Sequence, residues 1–148
     1  MKLLIDTNVI LDMVLKRSGC NISMELFRKV KAIGASAYIT SSSVTDIFYI
    51  IRKETHDTCR AYIVMDNIFR LVSVFSVTEQ DIKEAFEKKW KNFKDCVQYT
   101  TGKNNRLDYI ITANHKDYED ALLPVITPAA WIEMIDDHTK KNQQIPSM

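Results

Sequence analysis

Four aspartates and one asparagine are the residues of this sequence best suited to hold a metal ion: Asp6, Asp46, Asp95, Asn114 and Asp117. Carboxylate and amide oxygens are the ligands that hard cations such as Mg²⁺ and Mn²⁺ prefer. Carboxylates crowded together repel one another unless such a cation neutralises them. A cation held in this way activates water as a nucleophile and offsets charge on a phosphate. These residue types therefore predict phosphate hydrolysis, provided that the fold brings them together.

The elements that must position these residues can be predicted from the apolar pattern. Five short β-rich runs lie at residues 2–6, 37–40, 71–77, 109–112 and 125–126. Most of them lack clean alternation, which is typical of strands buried on both faces of a parallel sheet. Helical patterns lie between them, at residues 21–32, 42–53, 58–69, from 78 onward, 93–101 and 129–135. This alternation predicts an α/β fold: a three-layer α/β/α sandwich with a mainly parallel five-stranded sheet.

In such sheets ligands bind beyond the carboxyl ends of the strands, and this decides which acids matter. Asp6 closes the first run, and Asn114 and Asp117 follow the fourth, so all three should reach this edge. Asp108 precedes the fourth run and should lie at the opposite edge, roughly 13 Å away at about 3.3 Å per residue. We exclude Asp108 from the predicted site for that reason.

Asp46 and Asp95 come from helices rather than from strands. Asp46 lies in the first turns of the helix at 42–53, which is apolar on nearly every side, so its charge needs a partner or a metal. Asp95 lies near the start of the helix at 93–101. If both helix starts face the strand ends, four or five oxygen donors converge. Each acid alone is more typical of a turn, a helix cap or a solvated surface, and only convergence indicates catalysis.

Length, charge and cysteine usage limit the classes of protein. The 148 residues fit one domain, predicted at residues 1–135, with a flexible polar tail at 136–148. A net charge of +1 excludes a surface that is basic throughout but allows a basic rim, where we predict substrate contacts from Arg52, Lys53 and Lys94. Three cysteines without a CxxC pair and the lack of a long apolar run predict a cytoplasmic location with no membrane contact.

Four segments within about residues 1–135 resemble the PIN-domain family. The opening KLLIDTNVILD is similar to the first strand of the family and its metal-binding aspartate. The segments SSSVTDIFYIIRK and FKDCVQY resemble those that supply the second and third acids. The stretch DYIITANHKDYEDALLPVITPAAWI is similar to the last acidic position with the closing strand and helix. The opening and closing segments are the most specific of the four.

The resemblance implies roles for particular residues. It makes Asp6, Asp46, Asp95 and Asp117 catalytic, with Asp6, Asp95 and either Asn114 or Asp117 as metal ligands. Many members have an aspartate where this chain has Asn114, so either Asn114 coordinates through its carbonyl or Asp117 supplies the charge. This departure leaves open whether one or two metal ions bind. The residues implied to support the ligands through hydrogen bonds are Thr7, Asn8 and Thr112.

The resemblance also implies an activity and partners. It implies hydrolysis of RNA phosphodiester bonds with Mg²⁺ or Mn²⁺, leaving 3′-hydroxyl and 5′-phosphate ends. Single-domain members of this size are often VapC-like ribonuclease toxins of toxin–antitoxin pairs, which are dimeric and are inhibited by a partner. We therefore expect an RNA substrate, an antitoxin protein as partner and a homodimer.

Two competing classes of protein are compatible with parts of the pattern. The first is a PIN-fold module that binds RNA or protein without cutting, and titration with Mg²⁺ or Mn²⁺ discriminates it. The second is another phosphoryl-transfer α/β protein. A haloacid-dehalogenase-like phosphatase needs an aspartate where this chain has Asn8, and a receiver domain needs a phosphoacceptor aspartate near Val77 and Thr78. Both members of the second class are therefore disfavoured.

Overall fold

The computed structural model describes residues 1–118 and 120–144. Its five strands form one sheet: β1 (Lys2–Ile5), β2 (Ser36–Thr40), β3 (Ser73–Phe75), β4 (Tyr109–Ile111) and β5 (Val125–Ile126). Its helices are α1 (Thr7–Val14), α2 (Cys20–Ala32), α3 (Ser41–Thr55), α4 (Thr58–Leu71), α5 (Glu79–Lys88), α6 (Phe93–Asn104), the 3₁₀ helix His115–Asp117 and α7 (Pro128–Gln143). None of the described helices is both long enough and apolar enough to cross a membrane.

The strands of the sheet are parallel and lie in the order β3-β2-β1-β4-β5. The central strand is β1, in which Leu3 pairs with Ala37 of β2 on one side and with Tyr109 of β4 on the other. This topology confirms the fold class that the sequence predicts. Because the strands are parallel, the carboxyl ends of β1, β2 and β4 lie side by side at one edge of the sheet.

Two apolar cores, one on each face of the sheet, produce the three layers. Leu3 and Ile5 face a core built with α1, α2, α3, α4 and α7, whereas Leu4 faces a core built with α5 and α6. The three apolar side chains of the central strand, Leu3, Leu4 and Ile5, are fully buried. Burial on both faces explains why this run is continuously apolar rather than alternating.

Two helices begin directly at strand ends. Asp6 alone separates the last residue of β1, Ile5, from the first residue of α1, Thr7. No residue separates β2 from α3, and Thr40 caps this helix by accepting a hydrogen bond from the backbone N–H of Ser43 at 3.3 Å. These junctions fix the side chains that follow β1 and β2 at the carboxyl edge.

The end of the chain differs from the sequence-based prediction. Helix α7 continues past Ile135 to Gln143, so residues 136–143 of the predicted polar tail are helical, and the end predicted for the last helix at Ile135 is wrong. The Lys29 ammonium on α2 contacts the Asp136 carboxylate at 2.6 Å and ties the start of this segment to the domain. The composition turns polar there because the helix leaves the core after Ile135, not because it ends. Residues 145–148 of the predicted tail lie outside the described residues.

Candidate active site

Asp6 is a buried carboxylate at the carboxyl edge of the sheet, with 4 % of its surface exposed. Thr112, directly after β4, donates a hydrogen bond from its hydroxyl to Asp6 Oδ2 at 2.6 Å. Burial raises the pKa of Asp6, although hydrogen bonds from Thr112 and Gln98 and the charge of Lys94 oppose the shift. A carboxylate in this state is costly to keep ionised unless a positive charge joins it.

Asp95 is the second buried carboxylate of this edge, with 5 % of its surface exposed. It lies in the first turn of α6, where its backbone N–H donates to the capping side chain of Asn92 at 3.1 Å. Gln98 Nε2, one turn later, donates to Asp95 Oδ1 at 3.3 Å. Burial, followed by the negative charges of Asp6 and Asp117, raises the pKa of Asp95 to about 7. The structure therefore brings Asp6, Asp95 and Asp117 into one electrostatically coupled group.

The 3₁₀ helix after β4 supplies the third carboxylate, Asp117. Asn114 donates from Nδ2 to Asp117 Oδ2 at 2.8 Å, and its backbone N–H donates to the Thr112 hydroxyl at 3.1 Å. Thr112 in turn donates to Asp6, so a chain of hydrogen bonds links the segment after β4 to the end of β1. Where many family members have an acid, Asn114 thus orients a neighbouring acid.

Asp46 lies at the rim of this group and is paired with a cation. The Lys94 ammonium contacts Asp46 Oδ2 at 3.2 Å, and both side chains are 43 % exposed. The charge of Lys94 also opposes the rise in the pKa values of Asp6 and Asp95. Lys94 therefore links the buried carboxylates to the half-exposed Asp46. The charge of Asp46, which was expected to need a partner or a metal, is paired with the Lys94 ammonium.

A layer of neutral polar side chains lies beneath the carboxylates, and of its members Thr7 was predicted from the sequence whereas Ser43 and Gln98 were not. The Thr7 hydroxyl donates to Ser43 Oγ at 3.0 Å, and Ser43 donates to Gln98 Oε1 at 3.3 Å. These contacts join the starts of α1 and α3 to α6, and Gln98 carries them to Asp95. Ser43 and Gln98 could have been recognised because each is a polar residue at a helix position that faces the core. Ser43 lies on α3, and Gln98 lies one turn after Asp95 on α6. Thr7 acts through this layer, while Asn8 is exposed at the second position of α1.

The predicted substrate-binding residues lie on the surface, but only Lys94 contacts the acidic group, through Asp46. Arg52 and Lys53 are exposed near the end of α3, more than a helical turn beyond Asp46. The Arg52 guanidinium lies 6.0 Å from the centroid of the Tyr49 ring. A shallow pocket of about 330 Å³ is formed by these side chains and their neighbours: Tyr49, Arg52, Lys53, His56 and Thr58.

The side chains at this edge fit a hard divalent cation by their chemistry. The coupled donors are carboxylate oxygens of Asp6, Asp95 and Asp117, with amide and hydroxyl groups around them. Within residues 1–118 and 120–144, no three His, Cys, Asp or Glu side chains are grouped as a ready-made metal site. Burial and, after it, repulsion by Asp6 and Asp117 raise the pKa of Asp95, and a cation among these carboxylates would offset both effects.

The fold and the site define a class of protein: a parallel α/β domain that gathers carboxylates where its central strands end. A family model described as the PIN domain matches residues 2–116, more than three quarters of the chain. The chain belongs to the PIN-domain family.

Solved structures with the same fold include components of toxin–antitoxin complexes. One is a chain of VapBC2 from Rickettsia felis, solved bound to a DNA fragment from the VapBC2 promoter. It is 10 % identical to this chain with a TM-score of 0.67, and the match covers 84 % of this chain and 97 % of that chain. A toxin–antitoxin complex from Klebsiella pneumoniae has 23 % identity, a TM-score of 0.60 and coverages of 85 % and 97 %. VapC20 from Mycobacterium tuberculosis, a toxin that cleaves the sarcin–ricin loop, has 12 % identity, a TM-score of 0.60 and coverages of 78 % and 92 %. No curated protein matches the sequence.

Proposed function

We propose that this chain is a ribonuclease that uses Mg²⁺ or Mn²⁺ to hydrolyse RNA phosphodiester bonds, as the toxin of a toxin–antitoxin pair. The observation that carries the proposal is the pair of buried carboxylates Asp6 and Asp95, the latter with its pKa raised to about 7. Buried acids in this state are enriched at functional sites. The family match and the fold shared with a toxin that cleaves the sarcin–ricin loop support RNA as the substrate.

In this proposal Asp6, Asp95 and Asp117 hold the cation, and Asn114 either orients Asp117 or adds its carbonyl oxygen. When bound, the cation activates water and offsets charge that develops on the phosphate. Thr112 keeps the Asp6 carboxylate in place through the 2.6 Å hydrogen bond. The remaining predicted supports, Thr7 and Asn8, differ, since Thr7 is buried beneath the site and Asn8 faces solvent.

Asp46 and Lys94 form the rim of the proposed site. Their 3.2 Å contact is half-exposed, where an ion pair contributes little to stability. Lys94 can therefore exchange Asp46 for a phosphate of the RNA at small cost. That exchange frees Asp46 to accept a hydrogen bond from the attacking water, which is the catalytic role proposed for it.

The RNA strand is proposed to continue along the exposed face of α3. Asp46, Tyr49 and Lys53 are spaced three and four residues apart, so they share one face of the helix. Arg52 lies six residues beyond Asp46, about 9 Å along the helix axis. Arg52 and Lys53 offer contacts to backbone phosphates, and the exposed ring of Tyr49 offers a stacking surface for a base.

Replacing Asp6 with asparagine tests the proposed function. We expect Asp6→Asn to lower Mn²⁺-dependent cleavage of single-stranded RNA about a hundredfold or more, because asparagine has nearly the shape of aspartate but lacks the negative charge that binds the cation. The matched control is Asp108→Asn, since Asp108 accepts a hydrogen bond from the backbone N–H of Lys2 at the opposite edge of the sheet. Undiminished cleavage by Asp6→Asn would reject the assignment.

One observation favours a second candidate function, a PIN-fold module that binds RNA or protein without cutting. Lys94 already supplies a positive charge near Asp6 and Asp95. Isothermal titration of the wild-type chain with Mn²⁺ separates the two candidates. Binding in the millimolar range or tighter supports the nuclease, and the absence of binding together with retained RNA affinity supports the module.

The proposed partners are an antitoxin protein and a second copy of this chain in a homodimer. The toxin–antitoxin complexes that share the fold support the antitoxin. An apolar cleft of about 800 Å³ between α2 and α4, lined by side chains such as Phe27, Phe69 and Leu71, offers surface for a partner protein. Light scattering of the purified chain, 17.1 kDa as a monomer, tests the dimer. Co-purification with the product of an overlapping small reading frame tests the antitoxin, and the cytoplasmic location stays a prediction.

A further inference from the structure

The connection between α5 and α6 carries a dense group of positive charges beside the proposed site. Residues 86–94 (FEKKWKNFK) hold one acid and four lysines: Lys88, Lys89, Lys91 and Lys94. The net charge of this segment is +3 in a chain whose total is +1, so all other residues together carry −2. The segment leads directly into Asp95, one of the two buried carboxylates of the proposed site.

Packing holds this segment in place. The Trp90 side chain is 8 % exposed, and its ring stacks on that of Tyr99 of α6 with centroids 5.1 Å apart. The ammonium group of Lys88 lies 5.7 Å from the centroid of the Tyr99 ring, and that of Lys89 lies 3.7 Å from the centroid of the Phe86 ring. The lysines therefore project from a segment whose backbone is anchored between the two helices.

The stability of the fold does not account for the charges. Lys88 lies in the last turn of α5, where a cation is favourable with the helix dipole. Lys91 precedes the capping residue Asn92, and Lys94 lies in the first turn of α6, so both are at the positive end of a helix, where a cation is unfavourable. The like charges also repel one another. An anionic ligand along the segment would offset both effects.

We propose that residues 86–94 form a second binding surface for single-stranded RNA, on which Lys88, Lys89 and Lys91 contact phosphates of the strand that enters the proposed site. The proposal rests on the function proposed above, which makes RNA the ligand. It adds to that function a second direction for the strand. One direction runs from Asp46 along α3, and the 3.2 Å contact between Lys94 and Asp46 joins that face to this segment.

Two exposed aromatic side chains of the segment favour a single strand over a duplex. Phe86 is 62 % exposed and Phe93 is 47 % exposed. The unpaired bases of a single strand stack on such rings, whereas the bases of a duplex already stack on one another. Lysines for phosphates and rings for bases thus occur together on one short segment, which is the combination that single-stranded nucleic acid requires.

The test compares two triple variants that lose the same charge. The segment variant is Lys88→Gln/Lys89→Asn/Lys91→Gln, and the control is Lys31→Gln/Lys140→Gln/Lys141→Gln. Asparagine replaces Lys89 because this residue has a φ of 57°, a left-handed conformation that asparagine tolerates. The three control lysines are exposed near the ends of α2 and α7.

Binding of an oligouridine of about 16 nucleotides, long enough to cover the site and the segment, is measured at several salt concentrations. EDTA is present, so that the proposed hydrolysis does not proceed. For the segment variant we expect the slope of log affinity against log salt to become shallower by about 2, since each phosphate contact to a single strand contributes about 0.7. The control should keep the wild-type slope. In Mn²⁺-dependent cleavage the segment variant should raise KM with kcat unchanged.

Two further variants separate charge, stacking and folding. Lys88→Arg/Lys89→Arg/Lys91→Arg keeps the charges and should restore the wild-type slope. If it binds as weakly as the segment variant, the loss is a folding effect and the inference is wrong. Phe93→Leu should weaken binding of the oligouridine about tenfold, with the similarly exposed Phe69→Leu of α4 as its control. Equal binding by Phe93→Leu and Phe69→Leu would overturn the stacking role.

The outcomes separate this inference from the proposed function. If the wild type cuts RNA while the segment and control variants bind it with equal slopes, the surface is overturned and the nuclease stands. If the wild type neither binds Mn²⁺ nor cuts RNA but shows the expected difference in slope, the nuclease is overturned and the surface stands. If polyglutamate binds as tightly as the RNA and loses as much affinity in the segment variant, the surface takes acidic protein and the inference is wrong.

Discussion

Two carboxyl groups of this molecule, Asp81 and Asp6, expose the same small fraction of their surface but lie at different depths and in different surroundings. Each is 4 % exposed. Asp81 accepts hydrogen bonds from the Thr78 backbone N–H at 3.0 Å, from Asn104 at 2.7 Å and from the Thr101 hydroxyl at 3.4 Å. Burial would raise the pKa of Asp81, but these donors outweigh it and the pKa is lowered.

The carboxylates at the edge of the sheet show the opposite balance. Burial outweighs the donors that reach Asp6, and the charges of Asp6 and Asp117 add to burial at Asp95. Asp81 completes a capping box at the start of α5 and serves the fold. The comparison teaches that a low exposed fraction alone does not distinguish a structural acid from the acids of the proposed site. The acids of the proposed site differ from Asp81 in that too few hydrogen-bond donors reach them to offset the cost of burial.

Replacing Asp95 with asparagine gives the largest expected difference between the two regions. Asp95→Asn should lower RNA cleavage about a hundredfold or more, because a charged ligand is lost. Its free energy of unfolding near pH 7.5 without metal should stay equal or rise, since the change removes a desolvated charge. Cleavage assays and urea titrations measure both, with Asp66→Asn on the exposed face of α4 as the control. A large loss of stability in Asp95→Asn would mean that Asp95, like Asp81, stabilises the fold, and would contradict the difference proposed between the two regions.

Replacing Asp81 with alanine should produce the reverse result. Asp81→Ala removes the capping box and the hydrogen bonds from Thr101 and Asn104. We expect the free energy of unfolding to fall by about 1–3 kcal/mol. The folded protein should cut RNA at the wild-type rate. Urea denaturation measures the first effect, with Glu79→Ala, an exposed residue of the same helical turn, as the control. Impaired cleavage by fully folded Asp81→Ala would contradict the division of roles.

The pH dependence of stability should also separate the two regions. The folded pKa of Asp95, about 7, lies above the value of an unfolded chain, so the native state holds the extra proton between about pH 4 and 7. In metal-free buffer this group stabilises the fold at low pH, and that contribution is lost as pH rises, by at most about 1.4 kcal/mol per pH unit. Asp81, with a lowered pKa, contributes the opposite slope at more acidic pH. Denaturation between pH 4.5 and 7.5 measures the Asp95 term, and an unchanged slope in Asp95→Asn would contradict it.

Much of the fold could be predicted because its signals are local. The apolar runs of β1 and β4 and the capping residues of α5 determine their elements through neighbours in the chain. Helix α1 (sequence TNVILDMV) was not predicted, because only Asp6 separates it from β1 and no turn or linker marks a new element. The polar residues Asp6, Thr7 and Asn8 are the only sign of the junction in the sequence. The last helix was predicted to end at Ile135 because the sequence turns polar there, but polar residues continue α7 once it leaves the core.

Only the part of the site that follows from the sheet topology could be predicted. Because the strands are parallel, Asp6 and Asp117 were expected at the same edge of the sheet and Asp108 at the opposite edge. The contacts that orient these acids join residues far apart in the chain, such as Thr112 with Asp6 or Ser43 with Gln98. Such pairs depend on which side chains face each other after packing, and no short pattern encodes that.

The direct junctions from β1 to α1 and from β2 to α3 limit where this domain can vary in length. Each residue inserted at such a junction would rotate the following helix by about 100° relative to its strand. The apolar face of that helix would then leave the core, and Thr7 or Ser43 would turn away from α6. Natural or engineered insertions should therefore be absent at residues 5–7 and 40–43. Insertions should instead be tolerated where the helices end, away from the carboxyl edge. The relative positions of the acids should therefore stay the same when the length of the domain changes.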